Sequence, residues 1–174
     1  MKRKNIILIG MPGCGKSTCG VLLAKIALMD FVDTDLLIQQ KEGARLQSII
    51  DTKGIEKFIE IENEVLKSVN MENAVISTGG SAIYSEEGMM HLKENGIVLF
   101  IKIDLKTVIE RIKDFSMRGI VIRKGNTLED LLIERTPYYE KYADIVVEST
   151  SADASENVEK MLDAIKKYKT AHNI

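Results

Sequence analysis

At 174 residues, with 45% hydrophobic and 29% charged residues, the chain has the composition of one folded globular domain. That excludes a disordered tail, a collagen-like repeat and a disulfide-stapled miniprotein. A formal charge of −2, from 24 basic and 26 acidic residues, leaves no electrostatic footprint for duplex nucleic acid, and 5% aromatics without tryptophan argue against a base-stacking surface.

The chain opens with Met1-Lys2-Arg3-Lys4 and an apolar run too short for a signal peptide, broken by Gly10 and Pro12. No stretch reaches the ~18 apolar residues of a membrane span. Cys14 and Cys19 are too few for a disulfide framework and lack a second pair at metal spacing. These features predict a reduced, cytoplasmic protein with no membrane or nucleic-acid partner; a monomer is the expectation for its assembly, which no sequence feature fixes. Residues 5–9 read as a buried strand and 16–28 as a helix. Residues 31–32 read as a strand stub ending at Asp33, and 35–41, 46–50 and 55–69 as helices punctuated by Gly43 and Gly54. A strand at 74–77 meets Gly79-Gly80; a helix at 85–95 closes at Gly96, and 97–103 is the clearest strand. A helix from 105 to about 113, a basic loop to Gly125, a helix at 127–142, a strand at 144–147 and a helix at 154–169 complete the chain.

Strands alternating with helices predict parallel pairing through right-handed crossovers, hence an α/β fold with a sheet covered on both faces. With no repeat, low-complexity tract or linker, residues 1–174 read as one domain. The connections at about 35–70 and 115–125 exceed what a simple crossover needs, and long connections at strand ends are where ligands are handled.

Gly10-Met11-Pro12-Gly13-Cys14-Gly15-Lys16-Ser17 fits the phosphate-loop pattern G-x-x-x-x-G-K-[ST], with a strand entering and a helix leaving. Such a loop aims backbone N–H groups, here Gly13, Cys14, Gly15, Lys16, Ser17 and Thr18, at the phosphates of a nucleotide, aided by the positive end of the helix. Lys16 then bridges the β and γ phosphates, and the Ser17 hydroxyl ligates Mg²⁺. Asp51-Thr52-Lys53-Gly54 matches a loose GTPase pattern, but no N-K-x-D accompanies it to read guanine. Asp33 and Asp35 stand at the end of the second strand, on the side of the sheet that carries the phosphate loop. Their alternate spacing points both carboxylates into that crevice: one to hold magnesium through water, the other to orient a nucleophilic hydroxyl. The plainer alternative is that Asp35 only caps the following helix.

The phosphate loop, Val32-Asp33-Thr34-Asp35, Ser77-Thr78-Gly79-Gly80, Arg118, Glu134-Arg135-Thr136-Pro137-Tyr138-Tyr139 and Ala143-Asp144-Ile145-Val146-Val147 fall in one order. In that order the chain resembles the shikimate kinase family from about residue 5 to residue 150. The resemblance implies a three-layer P-loop kinase fold with a five-stranded parallel sheet, a mobile lid at about 115–125 and an acceptor region at about 35–70. It implies transfer of the γ-phosphoryl of ATP to the 3-hydroxyl of shikimate, with Mg²⁺, in aromatic amino-acid biosynthesis.

Carried over by residue, Lys16 contacts the transferring phosphoryl, Ser17 the metal, and Asp33 the metal's water shell. Asp35 positions or deprotonates the attacking hydroxyl, Gly79 and Gly80 offer backbone N–H groups to the acceptor, and Arg135 pairs with its carboxylate. Arg118 is the lid arginine that closes over the phosphates, and Arg111 packs on adenine. Three positions depart from the family pattern: Ile59 replaces a second carboxylate-binding arginine, Ser81 a third glycine, and Arg118-Gly119-Ile120-Val121 the lid's R-P-L-L. These cluster on the acceptor side. They leave open a different small polyol or hydroxy acid as acceptor, or an ATP-binding regulatory protein that has lost transfer; a nucleoside monophosphate kinase fits less well, since its arginine-rich acceptor signature is missing.

Overall fold

The computed structural model describes residues 4–112 and 119–173. Its centre is a five-stranded parallel sheet built from β1 (Asn5–Ile9), β2 (Asp30–Asp33), β3 (Ala74–Ser77), β4 (Gly96–Lys102) and β5 (Ile145–Glu148), in the order β2-β3-β1-β4-β5. β1 is buried at every position, as a strand flanked on both sides and covered on both faces must be. It pairs with β3 from Ile6 opposite Val75 and with β4 from Asn5 opposite Gly96.

The chain moves from β1 to edge strand β2 through α1 (Lys16–Ala27) and then works back across the sheet. Right-handed crossovers therefore put α1 on one face and the later connections on the other. α8 (Ala154–His172) returns to pack beside α1. The opposite layer holds α4 (Ile55–Ser68) against α5 (Glu86–Glu94), and α6 (Leu105–Arg111) against α7 (Leu128–Tyr142). α2 (Thr34–Glu42) and α3 (Leu46–Lys53) stand off from the sheet. With α4 they form a second, smaller core around Ile38, Leu46, Ile49, Phe58, Ile61 and Val65, closed by Val121. The anticipated acceptor region thus has its own packing.

Most expected elements are present, shifted by a residue or two. The strand stub extends to four residues, and α8 runs three residues past the expected end at Lys169. Gly96 opens β4 instead of closing α5, because it pairs with Asn5 across the sheet. A short 3₁₀ turn, Ala82–Tyr84, has no periodicity to announce it. Thr127 is the N-cap of α7 within a capping box with Asp130, not a helical residue. Of the expected lid, Arg118 and the residues down to 113 lie outside the described residues. The remainder is less polar than its charges suggest: Ile120 and Val121 are buried, and Gly119 abuts Leu46. No described helix is long and apolar enough to cross a membrane.

Asn5 sets where β3 begins. Its side chain, almost fully buried, donates to Met71 O at 2.6 Å and accepts from Ala74 N at 2.9 Å. Asn5→Ala leaves both backbone groups without partners and is expected to cost about 2–4 kcal/mol. In urea titrations this reads as a lower midpoint at unchanged m value.

Candidate active site

The loop between β1 and α1 lies at the C-terminal end of the central strand, where parallel sheets bind ligands. Gly15 ends it at φ +99°, a left-handed conformation that turns the chain into α1 without a side chain in the way. The Lys16 ammonium is only slightly exposed; it donates to Gly10 O at 2.7 Å and Met11 O at 2.9 Å and lies 3.6 Å from Cys14 Sγ. Cys14 departs from expectation. Its thiol is buried, and its N–H already donates to Met11 O at 3.1 Å, so it lies beneath the loop rather than on the cavity wall.

Asp33 links the loop to the acceptor region. Its Oδ2 accepts from Ser17 Oγ at 2.6 Å and its Oδ1 from Asp35 N at 3.0 Å, which makes it the N-cap of α2. Capping therefore falls to Asp33, and the Asp35 carboxylate is released into the cavity. Burial, and next the neighbouring Asp33, push the Asp35 carboxyl up to about 6, with Lys16 pulling the other way. It remains mostly ionised at neutral pH, and a group titrating near the working pH suits proton acceptance.

Gly79 makes the closest approach in the site. A Cβ on it would stand 2.5 Å from Glu62 Oε1 and 2.7 Å from Asp35 Oδ1, so the absent side chain is what lets two carboxylates converge. Glu62, on α4, is fully buried; its Oε2 accepts from Ser81 Oγ at 2.7 Å, while Oε1 has no partner. Desolvation above all pushes its carboxyl up to about 8. Sequence reasoning assigns no role to Glu62, although it stands one helical turn after Ile59.

Arg135, on α7, is likewise fully buried. Nη2 donates to Val121 O at 2.6 Å, and Nε donates to the Tyr84 hydroxyl at 3.3 Å, which itself donates to Glu134 Oε1 at 2.6 Å. Nη1 has no partner and lies 3.0 Å from where a Gly80 Cβ would stand. The guanidinium therefore presents one free edge to the cavity. Arg111 donates to Cys14 O at 3.4 Å and Ser151 O at 2.9 Å, fixing it between the phosphate loop and the segment leading into α8.

One cavity of about 520 Å³ joins Gly13, Gly15, Lys16, Ser17, Thr18, Asp35, Gly79, Gly80, Arg111 and Arg135. Asp33 reaches it through Ser17. Its walls also include residues that carry no motif: Phe58 and Val121 from the small core, and Ala152, Ala154 and Asn157 near the start of α8. Ile59 is not among them. It lines an adjoining cavity of about 180 Å³ with Ile55, Tyr84, Val121, Arg123 and Leu131.

Phosphoryl transfer between small molecules needs a phosphate cradle and an acceptor-facing carboxylate in one water-excluding space. The fold and this cavity define a P-loop small-molecule kinase. Residues 12–166 match the profile of a family described as Shikimate kinase. A shikimate kinase of Sulfurihydrogenibium sp. is 36% identical over 165 residues, spanning 94% of this chain and 99% of that one. The structure of shikimate kinase from Acinetobacter baumannii in complex with shikimate superposes with a TM-score of 0.87 at 30% identity, covering 96% and 95% of the two chains. That from Aquifex aeolicus gives 0.81 at 36% identity, covering 96% and 98%. The chain belongs to the shikimate kinase family and is a phosphotransferase.

Gly79→Ala tests the convergence above Gly79. The methyl group must displace Asp35 or Glu62, and a misplacement of about 1 Å at a reacting group costs on the order of 100-fold. Acceptor kcat/KM is expected to fall by about that factor, with nucleotide affinity retained by isothermal titration.

Proposed function

We propose that the protein transfers the γ-phosphoryl of ATP to the 3-hydroxyl of shikimate as a single, monomeric cytoplasmic kinase domain. The observation that carries this reading is one cavity with the phosphate loop at one end and Asp35, Gly79, Gly80 and Arg135 at the other. The nucleotide lies along the loop amides with its base toward Arg111, and Lys16 exchanges its two carbonyl partners for phosphate oxygens. Asp35 accepts a hydrogen bond from the attacking hydroxyl, aligns it with the phosphoryl group and takes its proton as the new O–P bond forms and the γ-phosphorus–bridging oxygen bond breaks to release ADP. Arg135 Nη1 pairs with the acceptor carboxylate at a distance from the reaction. Arg118, outside the described residues, is assigned to the closing lid.

Ser17 Oγ and Asp33 Oδ2, 2.6 Å apart at the end of the phosphate loop, form a hard oxygen pair that suits Mg²⁺. No group of three or more His, Cys, Asp or Glu able to hold a metal occurs among the described residues, in keeping with an ion that takes its other ligands from water and phosphates. When bound, the ion neutralises charge on the β and γ phosphates.

A second reading, a different small hydroxy acid as acceptor, is favoured by Ile59, which stands where the family pattern has an arginine and lines a side cavity that also holds Tyr84, Arg123 and Glu134.

Lys16→Ala removes a positive charge from the developing transition state and is expected to lower kcat at least about 100-fold with the fold intact by circular dichroism. Turnover within tenfold of the parent refutes the role given to Lys16. A charge-assisted hydrogen bond to a carboxylate contributes about 1.5–3 kcal/mol, so Arg135→Ala should raise the KM for shikimate about 10–150-fold. Ile59→Arg, by adding a second such contact, should lower KM with little change in kcat, because the carboxylate is remote from the reacting hydroxyl. Steady-state kinetics with melting temperatures decide between the acceptors: a stably folded Ile59→Arg with no gain on shikimate points to the second reading.

A further inference from the structure

Among the described residues, Glu62 is the one fully buried carboxylate that the mechanism above does not use, and its surroundings are unusual for an anion. It forms no ion pair among the described residues, receives a single hydrogen bond from Ser81, and leaves Oε1 buried without a partner. An ionised carboxylate so placed forgoes most of its solvation. The charged groups facing it are Asp35 from α2, Arg135 from α7 and Lys16 from the start of α1. Lys16 is held by the loop carbonyls, and Arg135 by Val121 and Tyr84 through Nη2 and Nε, with Nη1 facing the acceptor cavity and making no hydrogen bond to Glu62. One turn earlier on the same helix, where an i to i+3 partner would sit, stands apolar Ile59. Glu62 Oε1 and Asp35 Oδ1 both abut the space above Gly79, which brings them within about 5 Å of each other.

We propose that Glu62 is a positioning residue that works in its neutral form: its Oε1 proton points toward Gly79 and Asp35, so that Asp35 stands as the only negative charge on the floor of the acceptor site. A neutral acid beside the base keeps Asp35 accepting and spares an anionic acceptor a second repulsive charge. The device belongs to a chain with Ile59, since a cation at that position would ionise Glu62 and pair with it, adding no net charge beside Asp35. Burial, which holds the Glu62 carboxyl up at about 8, is consistent with this protonation at neutral pH. The kinetic form of the proposal rests on shikimate being the acceptor.

The sign follows from the acid's chemistry. Below pH 8 Glu62 keeps its proton; above it, a second carboxylate charge appears beside Asp35, and kcat/KM for shikimate falls through a midpoint near pH 8 to a lower plateau. Glu62→Gln keeps an acceptor for Ser81 and an N–H donor in place of the acid proton, yet cannot ionise. Its profile is expected to lose the alkaline limb near pH 8 that the parent enzyme shows. The same limb persisting in Glu62→Gln overturns the proposal.

Carbon-13 NMR of the full chain, with the Glu62 carboxyl assigned by its disappearance in Glu62→Gln, reads protonation without turnover. A midpoint near 8 is expected, moving at least one pH unit lower in Ile59→Arg. A midpoint near 4.5 in the parent, or no movement in Ile59→Arg, overturns the assignment. If no form phosphorylates shikimate at any pH, the acceptor reading fails, and this titration alone upholds or overturns the neutral Glu62.

Discussion

A single carboxylate, that of Asp33, holds the two halves of the site in register. One oxygen accepts from the first helical turn after the phosphate loop, and the other caps α2 through the Asp35 amide. Each is a charge-assisted hydrogen bond, stronger than its neutral counterpart, and both bonds draw on the same rigid group. One side chain at the end of an edge strand thereby ties the nucleotide end of the site to the acceptor end. β2 otherwise contributes Phe31 and Val32 to the edge of the main core. It is short and only partly buried, and its pairing with β3 serves to carry Asp33 to the level of Ser77.

Around that link the acceptor side is built from a small core of its own. Ile38, Ile49, Phe58 and Val65 pack together away from the sheet, and Val121 closes the cluster from the far end of the chain. Val121 also supplies the carbonyl that takes Arg135 Nη2. This part of the expected lid is therefore tied to both the hydrophobic packing of α2–α4 and the orientation of the acceptor arginine. A substitution at Val121 would be felt in both.

The sheet and the nucleotide end were legible in the sequence because both depend on local signals. Buried parallel strands are continuous apolar runs, and a phosphate loop needs glycine, lysine and a hydroxyl at fixed spacing. The resemblance of the D-x-D and R-x-P-x-Y segments to a known family supplied the acceptor end. What escaped was non-local. Glu62 closes the segment Gly54–Glu62 that resembles the family's G-E-x-x-F-R-x-x-E, but the spacing gives it no role; only its proximity to Gly79, from another element, makes it unusual. Cys14 sits within the motif, yet the loop folds its thiol and amide inward. The expected lid rests on Arg123, Lys124 and two glycines, while two of its three aliphatic residues, Ile120 and Val121, are buried. Charge content describes a segment's average, and burial is decided residue by residue. Asp33, rather than Asp35, caps α2 because the helix starts at Thr34, ahead of the apolar periodicity that begins at Leu36.

The Lys16 ammonium has consequences for affinity as well as for chemistry. Two backbone carbonyls of its own loop already bind it, at 2.7 and 2.9 Å. Nucleotide association is then an exchange, in which phosphate oxygens displace internal ligands and the measured affinity is the difference between two solvation shells supplied by protein. Such an arrangement is selective by valence. A weak, singly charged anion gains too little from the ammonium to offset the two bonds it must break, whereas a polyphosphate brings several oxygens at once and recovers them along the loop amides. The loop thereby sets a threshold on the ligand's charge before any part of the base or sugar is read.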